Sequence, residues 1–95
     1  MTDESDQRSY RLISGEFSTD EAREVLMTLI EDKIGFHERN NWSRREHKLD
    51  TDDGEKRIAA LRQTKADITA LLESANEAGM KLSINCNIEI SLEQM

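Results

Sequence analysis

Residues 39–48, RNNWSRREHK, carry Arg39, Arg44, Arg45 and Lys48 against Glu46 alone: four cations and one anion, a net +3. Asn40, Asn41, Trp42 and His47 lie among these charges, and His37 just precedes them. Guanidinium groups bind phosphate and carboxylate oxygens in pairs, amides both donate and accept, and an indole offers a flat stacking face. Such a set could dock a phosphate, a nucleic-acid end or an acidic protein surface. His37, Asn41, Trp42, Arg44, Arg45 and His47 are therefore the candidate anion or partner site. A plainer explanation competes with it. Asp50, Asp52, Asp53 and Glu55 follow at once, and cations suit the C-terminal end of a helix, so the segment can simply be a solvated, self-neutralising turn.

Other reactive residue types are less suggestive. DTDDGE, residues 50–55, looks like a calcium loop, but its glycine falls one position early and Leu61 stands where the closing glutamate is needed. It reads instead as a helix-capping turn. His37 and His47 lack the i, i+3 or i+4 spacing that puts two ligands on one helical face, so no metal site is expected with Glu38 or Asp50. Cys86 falls on the apolar side of an alternating run, where it packs as a small hydrophobe rather than acting as a thiolate. Lys33 lies within an apolar helical stripe, with its stem expected along the core and its ammonium in solvent. No catalytic residue and no cofactor is expected.

Composition narrows the class. The chain has 95 residues, 36% hydrophobic and 35% charged, with a net charge of −7. That is one small domain with little apolar material for a core, which commonly needs help from a second subunit. The acidity repels nucleic acid from the molecule as a whole, so no nucleic-acid partner is expected. One cysteine excludes an internal disulfide, and the polar start of the chain resembles neither a signal peptide nor a membrane span, so a cytoplasmic setting is expected.

The elements that would position these residues follow from periodicity. KLSINCNIEISL, residues 81–92, alternates apolar Leu82, Ile84, Cys86, Ile88, Ile90 and Leu92 with polar neighbours, a strand with one buried face. YRLIS, residues 10–14, predicts a short first strand ending at Gly15, and residues 1–9 read as a flexible acidic tail before a single domain over 10–95. Ser18 and Glu21 form a capping box that starts a helix at Thr19. Its stripe of Ala22, Val25, Leu26, Leu29, Ile30, Ile34 and Phe36 carries it to about Asn41, with a disturbance at Gly35. Asp52 with Glu55 predicts a second cap and a helix from about Asp53 to Ala78, closed by Gly79. The expected fold is α+β, in the order β-α-α-β: a long antiparallel helical hairpin packed on a small antiparallel sheet. The hairpin should cover the last strand along its length, while the short first strand pairs with only part of it.

The functional expectation is a small, acidic, non-catalytic cytoplasmic interaction or regulatory protein. It would act as a homodimer through the C-terminal strand and could engage a further protein partner, with no membrane attachment. Two alternatives stand beside it. One is an acidic inhibitor or immunity-type protein that mimics nucleic acid or blocks a basic site, using Glu24, Glu31, Asp32, Asp67, Glu73 and Glu77 on the outer helix faces. The other is a ligand-binding protein or enzyme with an anion pocket at the hairpin tip.

Overall fold

The computed structural model describes residues 6–95. The order is β1 (Asp6–Phe17), α1 (Thr19–Glu46), α2 (Asp52–Glu77) and β2 (Leu82–Leu92). The helices form a hairpin, and the strands form a two-stranded antiparallel sheet, as the α+β reading requires.

Each turn has a local cause. Ser18 caps α1 through the predicted box: Glu21 N donates to Ser18 Oγ at 3.1 Å, and Ser18 N donates to Glu21 Oε1 at 3.0 Å. Those bonds hold the Glu21 carboxyl below the usual carboxylate range, the backbone bond contributing most. The end of α2 turns on Gly79, whose φ of 68° is the left-handed conformation expected of it. Met80 N then donates to Ala75 O and Gly79 N to Asn76 O, closing the last carbonyls.

α1 ends in the same way with a less suitable residue. Lys48 takes φ 56°, Leu49 N donates to Arg44 O at 2.7 Å, and Lys48 N to Arg45 O at 3.0 Å. A side chain in this conformation costs about 1 kcal/mol or more. Lys48→Gly is therefore expected to raise stability by about 1 kcal/mol, read as a higher urea midpoint at unchanged slope.

Several expectations need correction. β1 reaches back to Asp6 and runs through Gly15 to Phe17, so residues 6–9 of the supposed tail are strand; residues 1–5 lie outside the described residues. β1 therefore pairs with β2 over its whole length, from Asp6 opposite Leu92 to Phe17 opposite Leu82. The pattern of β1 was hidden by a bulge. Arg11 pairs with Asn87 and Ile13 with Cys86, which leaves Leu12 as the extra residue. The bulge switches parity, so Tyr10 before it and Ile13 and Phe17 after it share the apolar face of β2. α1 is continuous through Gly35 and extends beyond Asn41 to Glu46, placing Trp42 on the helix. α2 begins at Asp52 after Thr51, with no side-chain cap bond. Asp50 Oδ1 instead accepts from Asp52 N at 3.0 Å, and Thr51 Oγ1 donates to Glu55 Oε2 at 2.7 Å.

The helices meet along a regular seam. On α2 it consists of Gly54, Ile58, Leu61, Lys65, Ile68, Leu72 and Ala75, each at least half-buried and spaced alternately by four and three. That is the spacing of a coiled-coil contact stripe. On α1 the buried residues are Thr19, Ala22, Ile30, Ile34, His37 and Asn41. Thr19 Oγ1 donates to Asn76 Oδ1 at one end, and Glu31 and Glu38 accept from Lys65 and Arg62 farther along. Lys65, not Lys33, is the seam lysine. Lys33 is exposed, with Nζ 5.3 Å from the Phe36 ring centre.

The helical hairpin does not cover β2 along its length. Its contact with the sheet is sparse: Leu12 and Ile13 share an apolar cleft with Val25 and Leu29 of α1, and Leu82, Ile84 and Cys86 are half-buried, whereas Ile88, Ile90 and Leu92 are 41, 43 and 53% exposed. Helices of 28 and 26 residues and strands of 12 and 11 make two arms, each about 40 Å long. The chain measures 48 × 42 × 15 Å, so its second dimension is an arm's length rather than a packing thickness. The arms diverge in one plane. The radius of gyration is 17.3 Å, against about 12 Å for a compact chain of this size.

Candidate functional site at the hairpin tip

The far end of the helical hairpin holds a cleft of about 240 Å³ between α1 and α2, lined in part by His37, Asn41, Arg44, Asp53, Gly54 and Arg57. Its depth comes from close helix approach at Gly54. A Cβ there would collide with Asn41 Oδ1 and stand 2.8 Å from Cγ and 3.0 Å from Nδ2. Asn41 is 2% exposed, and among the described residues its buried Oδ1 has no hydrogen-bond partner. A buried amide oxygen left unpaired costs free energy, and its position favours whatever can donate to it. His37 sits one turn back, buried, with its ring edge-on to Phe36 at 5.3 Å and 73°.

The predicted candidates divide. His37, Asn41 and Arg44 line the cleft. Arg44 Nε donates to Asp50 O and so ties the turn to α1. Trp42 is 62% exposed and lies outside the lining. Arg45 reaches Glu55 at 3.8 Å, an exposed pair of small energetic weight. His47 is the C-cap of α1; protonated at Nδ1, it donates to Ser43 O at 2.9 Å. Trp42, Arg45 and His47 therefore belong to the surface and the helix end. On the helix, residues 37, 41 and 44 share a face and Trp42 lies well off it, while Arg45 reaches past the cleft to Glu55 and His47 stands beyond the last helical residue.

Asn40, from the same basic segment, also lines the cleft; Phe36, Asp50, Asp53, Gly54 and Arg57 complete it and were not anticipated as site residues. Asp50, Asp53 and Gly54 were read only as a capping turn. The available signal was the antiparallel hairpin itself, which sets the start of the second helix beside the end of the first. These additions change the electrostatics. Arg44 and Arg57 are balanced by Asp50 and Asp53, so the cleft is not a simple anion trap. It suits a small group that donates to Asn41 Oδ1 and presents anionic oxygen to a guanidinium.

The proposed acidic rows are partly engaged. Glu31 pairs with Lys65 at 2.9 Å, and Asp67 accepts from Gln63 at 2.9 Å. Among the described residues, no three His, Cys, Asp or Glu side chains are grouped to hold a metal ion, and no helix is long and apolar enough to cross a membrane. No family model, curated protein or solved structure matches the chain.

Proposed function

We propose that this chain is a non-catalytic interaction protein that works as a homodimer, associating through its C-terminal strand. The reading rests on a shortage of core. Among the described residues, the buried hydrophobic side chains are Ala22, Ile30, Ile34 and Leu72. Tyr10, Leu12, Ile88, Ile90 and Leu92 stand exposed on the ribbon, and Leu29, Phe36 and Leu71 on the helices. An isolated two-stranded ribbon is marginal in water, and apolar surface spread over two diverging arms is what a second copy can bury. The regulatory role and cytoplasmic setting belong to this proposal, the latter fitting the free thiol of Cys86. Sedimentation equilibrium at micromolar concentration should give about twice the 10.9 kDa chain mass. A single-chain mass with the fold intact would refute the proposal.

The unpaired Asn41 oxygen favours a second reading, a small polar ligand held at the tip. Monohydrogen phosphate is a suitable probe, because it carries both a hydroxyl donor and anionic oxygens. Trp42, the sole tryptophan, reports from the adjacent helical position. Phosphate should shift its emission in the native protein and in Arg45→Ser, and leave Arg44→Ser unaffected. Equal responses in the two variants would count against the cleft.

A further inference from the structure

We infer that two copies join edge to edge along β2 about a twofold axis at Asn87. They form a four-stranded sheet in which each helical hairpin covers the half of the other copy's β2 that its own leaves bare. This rests on the dimer proposed above and adds the register and the covering surface.

The two ribbon edges differ. β1 carries Asp6, Arg8, Arg11 and Glu16 and is bent by the bulge at Leu12, devices that discourage another strand from pairing. β2 has neither proline nor bulge on its paired run, and Glu89 is its one charge in eleven residues. One side of β2 is fully laddered to β1, so among the described residues its other side offers a long row of unpaired backbone groups.

The register follows from parity, charge and length. Directly opposed residues in an antiparallel pair share a face, so only like-parity pairings keep apolar against apolar. An axis at Glu89 would oppose two identical carboxylates. An axis at Asn87, the midpoint of Leu82–Leu92, engages all eleven residues. Leu82 then meets Leu92, Ile84 meets Ile90, Cys86 meets Ile88, and Asn85 meets Glu89, each with the partner copy's residue. Moving the axis by one residue either way forfeits part of this overlap.

The burial pattern fits the same axis. Leu82, Ile84 and Cys86 are half-buried beside their own helices, whereas Ile88, Ile90 and Leu92 are exposed. A twofold axis perpendicular to the sheet keeps both apolar faces on one side. It also sets the junction end of one β2 beside the free end of the other. Each helical hairpin springs from a junction end, so the partner's arrives beside Ile88, Ile90 and Leu92. The divergence of the two arms leaves space for it.

Cysteine cross-linking tests the register. Opposed Cα atoms in such a pair lie about 4.5–5.5 Å apart, within the reach of a disulfide. Asn87→Cys in a Cys86→Ser background should run as a covalent dimer after mild oxidation. Cys86→Ser alone, and Ser83→Cys in that background, should remain single chains; Ser83→Cys with Ser91→Cys should link again. A protein that sediments as a dimer while position 87 stays unlinked overturns the register and leaves association standing. Equally ready linking of native Cys86 to itself overturns it too. A monomer by sedimentation overturns both.

Discussion

Replacing Ile88 with Asp is expected to convert the dimer into a folded monomer. Ile88 lies outside the α1–α2 seam and is 41% exposed in the single chain, so an aspartate there is solvated and the helices survive. In the paired sheet the same side chain would sit beside Cys86 of the other copy and under its helices. An unpaired carboxylate buried there costs several kcal/mol, and the twofold axis counts it twice. Dimer affinity should fall by roughly four orders of magnitude, about 5.5 kcal/mol. Sedimentation should show the change while the far-ultraviolet circular dichroism stays helical. Ile84→Asp should behave differently, because Ile84 is already half-buried within its own chain, and stability as well as association should fall. Unchanged sedimentation of Ile88→Asp would mean that β2 is not at the interface.

The second large effect is a reversal of sign at the tip. Gly54→Ala adds a methyl group into the space held by Asn41 Oδ1. Asn41 is short and 2% exposed, so it cannot swing aside without parting the helices. The cost should be about 1–3 kcal/mol, exceeding the gain of up to about 1 kcal/mol from replacing a helical glycine. Asn41→Ala removes the obstacle. In that background Gly54→Ala should stabilise by about 1 kcal/mol, because only helix propensity remains. Urea denaturation of the four proteins gives the coupling. Additive effects would show that Asn41 and Gly54 do not share the space.

The sequence made the helical hairpin legible and the sheet less so. Ser18 with Glu21 marks a helix start and Gly79 a helix end because caps are local chemistry. β2 is visible because its alternation is unbroken. β1 was misjudged because Asp6, Gln7, Arg8 and Ser9 supply no apolar period and the bulge at Leu12 shifts the remainder by one. The divergence of the arms was also hidden. Periodicity identifies an apolar face but not the surface that meets it, and β2 reads alike whether its own helices or another chain cover it. At the tip, His37 and Asn41 were legible on one helical face, but Arg44 was not, because the apolar stripe fades near Asn41 while the helix runs on to Glu46. The fit of Gly54 against Asn41 joins two helices and leaves no pattern in either one.

The pairing of β1 with β2 also sets an order on folding. Phe17 meets Leu82 and Asp6 meets Leu92, so every rung of the ribbon joins residues near opposite ends of the chain. Closing so long a loop is entropically costly, while the helical hairpin zips from the short turn at residues 47–51. Once the hairpin has formed, it brings Ser18 and Lys81 to the same end and most of the closure cost is already met. The strands are then the last part to assemble. During synthesis β2 emerges after both helices, and until it does β1 cannot form this ribbon.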